Sequence, residues 1–552
     1  RKRLAKISFC SRIAMASSRI MALAMLVISS FFFLSAHASS DSFLRCLSGS
    51  IPSQLLFTQT SPSFGSILAS SVRNPRFLTP ATVRPLCIVT VTNASHVQAA
   101  VVCGRTHGVR LRVRSGGHDY EGLSYRSARA DAPPFAVVDL ARLRSVRVTR
   151  GSPATAWVDS GAQLGELYYA IGKVSDRLAF PGGLCPTVGV GGHFSGGGFG
   201  MLLRRHGLAA DQVVDALLVD AEGRLLDRNT MGQDVFWAIR GGGGGSFGIV
   251  LSWRVNLVAV PPKVTAFNVK KTVQEGAVDI VAKWQEVAPA LPDDLLVRVI
   301  AQGQDANFQA LYLGSCDALL PVMRSRLPEL GVDRTHCKEM TWLQSVPFIY
   351  LGSGATVEDI LKRNLSGDAR FSKATSDYVR QAISRNVWAD IFRNWLAKPN
   401  AGLMILEPYG GRIAGVSDSA TPFPHRSGVL YNIQYMNFWG SASEEAGRTG
   451  WVRDVLAFMA PHVSKNPRAA YVNYRDLDLG QNVVVSGGAG GNVTSFEAGR
   501  VWGEKYYKGN FRRLAMAKAQ IDPSDYFRSE QSIPPIGNQL ISTNVERVDH
   551  AE

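Results

Sequence analysis

The chain has 552 residues, of which 46% are hydrophobic and 19% are charged. These values are typical of a compact globular protein and exclude a disordered or fibrous one. The chain is longer than a single hydrophobic core usually supports, so we expect two domains, or one large domain with insertions. The formal net charge is +16, but the basic residues are scattered without a stripe or motif, which argues against a nucleic-acid-binding protein.

The first 38 residues are typical of a segment that is removed from the mature protein. Residues 1–14 resemble upstream sequence; from Met15 a basic residue precedes an apolar run, about Met21 to Leu34, and the small residues at 36–38 suit a signal peptidase. A membrane anchor is the alternative, but the run is shorter than the roughly 20 residues of a spanning helix. Losing six basic residues and no acids lowers the formal charge from +16 to +10. We therefore expect a secreted protein of the extracellular space or cell wall, without a stable membrane span.

Six cysteines follow this leader, in a compartment that would be oxidising. We expect a disulfide between Cys46 and Cys103, and the sequence leaves open how Cys87, Cys316 and Cys337 are used. No pair of cysteines has CxxC spacing, so no metal site is expected. Three Asn-x-Ser/Thr sequons are candidate glycosylation sites in a secreted chain: Asn93, Asn364 and Asn492.

The region that precedes the first glycine-rich motif predicts a strand, a helix and a strand. The apolar, β-branched run Cys87 to Val91 is followed by Ser95, which can cap a helix through Val102, and then by a strand over Val109 to Arg114. A crossover of this kind normally joins parallel strands, and ligands gather at their carboxyl ends. The segment that begins at Ser115 lies at that end.

The rest of the chain is rich in glycine up to about Gly245, and its second half has a mixed pattern of helices and strands. A helix is expected over Leu164 to Lys173, followed by a glycine-dense stretch from Pro181 to Gly200. The cluster Gly241 to Gly245 has apolar residues on both sides, which favours a buried turn over a flexible linker. After about Pro262 the pattern indicates a second domain, and Ala515 to Gln531 predicts a closing helix and turn that pack on the first.

Two motifs carry the chemistry. The first runs from Arg114 to Gly122 with the sequence RSGGHDYEG, and its glycine amides can approach and bind a pyrophosphate. His118 would project beside such a ligand, although a metal ligand with Glu121 or a hydrogen-bonded loop histidine are alternatives. The second motif places Cys185 before a proline amid glycines, where a thiolate could attack an electron-poor ring; half of a disulfide is the alternative.

Together these motifs resemble the berberine-bridge-enzyme-like, or reticuline-oxidase-like, branch of the vanillyl-alcohol-oxidase flavoprotein superfamily. The resemblance extends from Phe43 to Pro535 and includes four further segments: Asp234 to Gly243, Pro422 to Arg426, Tyr474 to Gly480 and Glu530 to Pro535. It implies an α+β fold, with a PCMH-type FAD-binding domain and a substrate domain whose antiparallel sheet is covered by helices.

The resemblance also implies domain bounds. Residues 1–38 would be upstream sequence and signal peptide, and residues 39–257 the FAD-binding domain, with its PCMH-type core at about 81–257. The substrate-binding domain would cover residues 258–499. Residues 500–552 would form a berberine-like C-terminal segment that returns to the FAD-binding domain.

For the cofactor, the resemblance implies FAD bound covalently through two residues. His118 would bond the flavin 8α-methyl group and Cys185 would bond C6. Such bonds would tune the flavin and hold it in an open site, since the protein positions a cofactor that performs the hard chemistry. The other implied FAD-binding residues lie in the same two motifs: Arg114, Ser115, Gly116, Gly117, Asp119, Pro186, Thr187, Val188, Gly189, Gly191, Gly192, His193, Gly196, Gly197, Gly198 and Phe199.

On the substrate side, the resemblance implies catalytic roles for Tyr120, Asn432, Gln434 and Tyr474. Alkaloid-oxidising members have a glutamate base at the Gln434 position. A neutral amide cannot remove a proton at ordinary pH, so berberine-bridge formation itself is disfavoured.

Alcohol-oxidising relatives often have a lysine at the Asn432 position, beside a tyrosinate base, and a tyrosine at the Phe199 position. Both are missing from this sequence. A tyrosine base would therefore need another cation to lower its pKa, and Arg475 is the candidate.

We accordingly expect a monomeric oxidase that takes a hydride from an alcohol carbon and passes electrons to O2, producing hydrogen peroxide. A sugar or oligosaccharide oxidised at C1 is the leading substrate, because the protein is expected to be secreted and is basic. A monolignol-type allylic alcohol is the runner-up, and a catalytically idle wall flavoprotein is the alternative class. A nicotinamide dehydrogenase finds only weak support, in Gly189 to Gly192.

The oxygen reaction is predicted from Val188, three residues after Cys185. In relatives a bulkier aliphatic residue at this position obstructs the space where oxygen meets reduced flavin. A valine removes one methylene, which matters in a close-packed interior. The sequence therefore predicts an oxidase rather than a dehydrogenase that is blind to oxygen.

Overall fold

The structure is a computed structural model that describes residues 39–129, 133–364, 369–486 and 492–536. The expected signal peptide lies outside these residues. Within them, no helix is both long and apolar enough to cross a membrane. The strands of the described chain form three larger sheets of four, five and seven strands and two strand pairs.

The first sheet is mostly parallel and contains the predicted strand-helix-strand unit. Its strands are β1 (Leu56–Thr58), β2 (Cys87–Thr90), β3 (Arg110–Arg114) and β4 (Phe135–Asp139), in the order β1-β2-β4-β3. Both β2 and β3 run parallel to β4, which lies between them. The first glycine-rich motif begins at the carboxyl end of β3, as predicted.

The crossover helix of this unit, α3 (Ala94–Thr106), begins two residues earlier than predicted and ends four residues later. Its cap is Asn93 and not Ser95. The backbone of Asn93 is still extended, so its side chain can accept the amide hydrogen of His96 at 3.1 Å. Ser95 already lies within the first helical turn.

The second sheet is antiparallel and packs beside the first. It has the order β5-β6-β10-β8-β9, and a separate pair joins β7 to β11. The strands are β5 (Val146–Thr149), β6 (Thr155–Asp159), β7 (Leu178–Ala179), β8 (Val213–Val219), β9 (Leu225–Leu226), β10 (Ile249–Asn256) and β11 (Val258–Ala259).

The third sheet is fully antiparallel, has seven strands and belongs to the second half of the chain. Its order is β15-β12-β14-β13-β17-β18-β16. The strands are β12 (Val264–Thr272), β13 (Leu295–Gln302), β14 (Asp305–Tyr312), β15 (Lys338–Met340), β16 (Phe371–Val379), β17 (Leu403–Pro408) and β18 (Tyr431–Trp439). A last pair comprises β19 (Val484–Ser486) and β20 (Asn492–Thr494).

Helices cover one face of the third sheet. Other helices connect strands of the first and second sheets. A buried cluster that includes Trp284, Trp388 and Trp451 lies between the sheet and its helices. The α-helices besides α3 are α1 (described over 39–48), α2 (Phe64–Ala69), α4 (Leu164–Val174), α5 (Val190–Ser195), α6 (Leu203–His206), α7 (Arg228–Met231), α8 (Gln233–Ile239), α9 (Ala277–Val287), α10 (Cys316–Arg326), α11 (Trp342–Tyr350), α12 (Arg385–Asp390), α13 (Glu445–Met459), α14 (Phe496–Tyr507) and α15 (Asn510–Ile521).

The C-terminal segment returns to the first sheet. After α15 the chain turns, and the Tyr526 hydroxyl donates to the Val109 carbonyl at 2.9 Å. Glu530 forms an ion pair with Arg112 of β3 at 2.9 Å. The predicted closing helix therefore exists, although it begins five residues before Ala515 and ends at Ile521.

Two disulfides are present among the described residues. One joins Cys46 to Cys103, the pair expected from the sequence, and the other joins Cys316 to Cys337. Cys87 lies buried in β2, and burial raises the pKa of its thiol to about 12. An unreactive, protonated thiol is the result.

Candidate active site

A cavity of about 860 Å³ lies between the two glycine-rich motifs and one face of the third sheet. This volume is near the upper end of the roughly 300–1,000 Å³ that is typical of ligand sites. The C-terminal segment completes the wall, because Gln531 and Ser532 also line the cavity. Stretches of sequence between Arg73 and Ser532 thus build one site.

The two motifs contact each other through their main chains. A Cβ atom on Gly116 would lie 2.3 Å from the Gly189 nitrogen, and one on Gly189 would lie 2.2 Å from the Gly116 nitrogen. Gly117 has φ +71°, and a Cβ there would lie 2.0 Å from the Ser71 oxygen. Only glycine permits this approach, and glycine main chain that lines the cavity suits a phosphate-bearing cofactor.

His118 and Cys185 meet at one hydroxyl group. The Thr187 Oγ1 atom lies 2.9 Å from His118 Nε2 and 3.3 Å from Cys185 Sγ. Desolvation lowers the pKa of His118 to about 3, and the positive charge of Arg73 contributes. The imidazole is therefore neutral at physiological pH, which is the form that can bond to a carbon atom or accept a hydrogen bond.

His193 stabilises the second motif through two hydrogen bonds. Its Nε2 accepts the Gly183 amide hydrogen at 2.8 Å, and its carbonyl accepts a hydrogen bond from the Asn473 side chain at 3.1 Å. Burial lowers the pKa of His193 to about 4. The ring therefore stays neutral and acts as an acceptor that shapes the loop.

The predicted cofactor residues divide into two groups. Eleven line the cavity: Ser115, Gly116, Gly117, Asp119, Val188, Gly189, Gly191, Gly192, His193, Gly196 and Phe199. Five do not line it: Arg114, Pro186, Thr187, Gly197 and Gly198.

Arg114 differs most from its predicted role. It is fully buried, pairs with Asp139 at 2.5 Å, and donates to the Leu68 and Ile67 carbonyls. All these partners belong to the first sheet and to α2. The guanidinium thus holds α2 against the end of β3 and does not reach the cavity.

The predicted substrate-side residues converge on the opposite wall, with one exception. The Gln434 side-chain amide donates to the Tyr120 hydroxyl at 2.6 Å, and the Tyr120 and Tyr474 rings stack with centroids 5.8 Å apart. Asn432 is completely buried, donates to the Asp377 carbonyl at 3.0 Å and does not line the cavity. It shares a face of β18 with Gln434 but is not part of the cavity wall.

Neither tyrosine is prepared as a base by Arg475. Burial raises the pKa of both Tyr120 and Tyr474, and the hydrogen bond from Gln434 opposes this only in part for Tyr120. Arg475 instead donates to Asp119 at 2.9 Å and to the Gln531 carbonyl at 3.1 Å. The expected tyrosine-activating cation is therefore engaged in joining the first motif to the C-terminal segment.

A polar trio on the third sheet was missed by the sequence analysis. Arg298 donates to the Glu407 carboxylate at 3.0 Å, and to the Gln309 side-chain oxygen at 2.9 and 2.6 Å. All three line the cavity and are less than one-tenth exposed. Glu407 is the only charged residue of its strand, but β13 and β14 contain further polar residues, so the sequence pattern does not single out the trio.

The fold and the sequence families define an FAD-dependent oxidoreductase. Residues 85–229 match the family described as "FAD binding domain", and residues 470–534 match the family "Berberine and berberine like". The chain belongs to the berberine bridge enzyme-like family. The predicted α+β, PCMH-type fold is confirmed, as is the predicted family.

Relatives at high identity cover nearly the whole chain. Berberine bridge enzyme-like Cyn d 4 of Cynodon dactylon is 62% identical over 494 residues, which are 90% of this chain and 93% of that protein. The crystal structure of the Bermuda grass isoallergen BG60 is 61% identical, with a TM-score of 0.87, over 90% of this chain and 100% of that one.

A third relative bears on activity. Wild-type Phl p 4.0202, described as a glucose dehydrogenase, is 56% identical with a TM-score of 0.87, over 90% of this chain and 100% of that one. A variant of Phl p 4 in which one isoleucine is replaced by valine is described as a glucose oxidase.

Proposed function

We propose that this protein is a secreted oxidase that carries FAD on His118 and Cys185 and oxidises a carbohydrate at its C1 hydroxyl. The observation that carries the proposal is the meeting of these two side chains at Thr187, in the same cavity as Tyr120 and Gln434. The sugar-oxidising activity described for Phl p 4 supports the choice of substrate class. The mature protein would act as a monomer in the extracellular space or cell wall, with glycans on exposed asparagines.

The cofactor cradle suits FAD in three respects. Glycine main chains offer amides to a pyrophosphate, a neutral imidazole can bond to the ring methyl, and a thiol lies close by. When bound, FAD supplies a two-electron oxidant that accepts a hydride and passes the electrons to oxygen, giving hydrogen peroxide.

The chain's own groups would orient the substrate. Because Gln434 donates its N–H to the Tyr120 oxygen, the Tyr120 O–H remains available to donate to a substrate oxygen. Tyr474 stacks on Tyr120 and fixes the orientation of its ring. Gln434 positions these groups, but its neutral amide acts neither as a base nor as an acid at neutral pH.

The choice of oxygen as acceptor rests on Val188. This residue lines the cavity, and its amide donates to the Cys185 carbonyl at 3.3 Å, which keeps it close to the attachment residue. In Phl p 4, exchange of one isoleucine for valine accompanies the change from dehydrogenase to oxidase. A valine at 188 is the smaller of these two side chains.

The test is anaerobic mixing of the purified holoprotein with a panel of mono- and oligosaccharides and allylic alcohols. We expect sugars to bleach the flavin absorbance, and peroxide to appear in equal amount when air is admitted. Bleaching by allylic alcohols alone would favour a monolignol oxidase. Bleaching by no alcohol would overturn the proposal in favour of an idle wall flavoprotein.

A further inference from the structure

Thr187 contacts both candidate attachment residues but does not line the cavity itself. His118 and Cys185 both line the cavity, whereas Thr187 is completely buried. Its Oγ1 atom lies 2.9 Å from His118 Nε2 and 3.3 Å from Cys185 Sγ. The Nε2 edge of the imidazole is therefore turned toward a buried hydroxyl group, which leaves Nδ1 as the ring nitrogen that can bond to a ligand in the cavity.

A tight turn fixes the position of the Thr187 side chain. The Val188 amide donates to the Cys185 carbonyl at 3.3 Å and closes a β-turn. Its two central residues are Pro186 and Thr187, and proline suits the first central place because its φ is already set. The Gly165 amide donates to the Pro186 carbonyl at 2.9 Å and so ties the turn to the start of α4. The main chain of the turn thus positions the Thr187 hydroxyl group.

A hydroxyl group has one proton, and this limits how it can serve two neighbours. In one arrangement His118 Nε2–H donates to Oγ1, and Oγ1 donates its own proton to the Cys185 sulfur. Nδ1 then has an available lone pair, and the sulfur accepts a hydrogen bond that stabilises a thiolate. In the opposite arrangement Oγ1 donates to Nε2 while Cys185 donates to Oγ1, so that Nδ1 and the sulfur both hold a proton. Only the first arrangement makes both side chains nucleophiles.

We propose that the Thr187 hydroxyl group is the positioning group for both flavin bonds, because it accepts a hydrogen bond from His118 Nε2 and donates one to Cys185 Sγ. This rests on the proposed attachment of FAD to these two residues. The imidazole must be neutral for this role, and burial keeps it so by lowering the pKa of His118 to about 3. Thr187 itself forms no bond to the flavin.

Each attachment reaction balances in atoms and electrons. The Nδ1 lone pair forms a bond to the 8α carbon, or a sulfur lone pair forms a bond to C6, and one C–H bond of the flavin breaks. The electron pair of that C–H bond stays in the flavin, which is thereby reduced by two electrons. The proton from carbon and the proton that the imidazole or thiol has lost complete the reduced flavin. O2, the oxidant of the proposed function, then takes two electrons and two protons and gives hydrogen peroxide.

The test counts flavin bonds in Thr187→Val holoprotein, which lacks the hydroxyl group and keeps the shape of the side chain. Two bonds join the peptide of His118 to the peptide of Cys185 through one flavin, so digestion and mass spectrometry can count them. We expect these joined peptides to fall about tenfold or more in Thr187→Val, because loss of a hydrogen bond to a charged group carries an effect of this size. Thr187→Ser keeps a hydroxyl group and should keep the joined peptides.

Thr265→Val is the matched control. Thr265 is also completely buried, its hydroxyl group donates to the Gly314 carbonyl at 2.6 Å, and it lies in β12 outside the cavity wall. We expect this variant to keep the joined peptides at the level of the natural protein. An equal loss in Thr265→Val, or an equal loss in Thr187→Ser, would reduce Thr187 to a packing residue and overturn the proposal.

Each half of the role can be measured alone. In Cys185→Ala only the His118 bond can form, and in His118→Ala only the Cys185 bond. Adding Thr187→Val to either variant should lower the amount of flavin that stays with the acid-precipitated protein. A fall in only one of the two would restrict Thr187 to one bond and overturn the shared role.

The peptide count separates failure of this proposal from failure of the proposed function. Joined peptides that persist undiminished in Thr187→Val would overturn the role of Thr187 and leave the attachment in place. Natural protein that holds flavin without joined peptides would overturn the attachment, and the role of Thr187 with it. Where Thr187→Val does not fold, Thr187→Ala removes the same hydroxyl group and carries the same expectation. None of these results depends on turnover of a substrate.

Discussion

Thr187 is the residue through which the two candidate attachment residues meet, and its hydroxyl contacts both. We predict that each of His118→Ala and Cys185→Ala leaves one flavin bond intact, because the two side chains reach the cofactor independently. The yellow colour should stay with the acid-precipitated protein in the natural chain and in both single variants. It should be lost only in the double variant. Release of free FAD from the natural protein by acid would contradict the prediction.

Gln434 and Tyr120 share a hydrogen bond of 2.6 Å but should contribute unequally. Gln434→Ala removes a positioning contact, whereas Tyr120→Phe and Tyr474→Phe remove hydroxyl groups that can transfer protons. We predict that the more damaging tyrosine variant slows flavin reduction more than Gln434→Ala, as measured by stopped-flow absorbance. Loss of reduction in Gln434→Ala alone, with both tyrosine variants active, would reverse these roles.

Val188 is half-buried on the cavity wall, so a single substitution can test its role. We predict that Val188→Leu slows reoxidation of the reduced flavin, because the added methylene fills space that a diatomic molecule would use. The measurement is stopped-flow mixing of reduced protein with aerated buffer, with anaerobic reduction by sugar as the control that should remain unchanged. Equal reoxidation rates would remove Val188 as the gate.

Among the elements, α15 anchors the C-terminal return through a buried cation. Lys518 is fully buried and donates to Asp522 at 2.6 Å and to the Ser246 and Phe527 carbonyls. Lys518→Met would leave the buried Asp522 carboxylate without its charge partner, which costs about 3–5 kcal/mol. We predict a fall of several degrees in Tm, measured by circular dichroism.

An exposed pair provides the comparison for this prediction. Lys270 and Asp305 are 2.6 Å apart, with side chains 62% and 39% exposed. Surface pairs of this kind contribute about 0–1 kcal/mol, so Lys270→Met should leave Tm nearly unchanged. Similar falls in Tm in the two variants would mean that burial of the Lys518–Asp522 pair does not stabilise the C-terminal segment.

Local patterns predicted the elements better than the contacts between them. The β2-α3-β3 unit and α4 follow from short apolar runs and caps, so their bounds were found within a few residues. Arg298 and Glu407 are 109 positions apart and meet only because β13 and β17 pair. Sequence periodicity does not show which strands pair or in what register. The trio could therefore be found only in the structure, and the same holds for the ion pair between Arg475 and Asp119.

At the scale of the whole molecule, the three sequons lie on the surface. Asn93, Asn364 and Asn492 are all exposed, so a transferase could reach each of them. We predict that the protein secreted by a plant host begins near residue 39 and loses three glycan masses on enzymatic deglycosylation. Each single Asn→Gln variant should lose one of them. An unchanged intact mass after deglycosylation would contradict the secretory route.

The wall of the cavity is drawn from almost the full span of the described chain, from Arg73 to Ser532. Ribosomes deliver these residues in order, so Gln531 and Ser532 emerge after every other lining residue. A ligand that needs the whole wall can therefore be enclosed only once translation has passed this point. A premature stop shortly upstream would remove Glu530, the partner of Arg112, and would yield a polypeptide with both glycine motifs but an unfinished pocket.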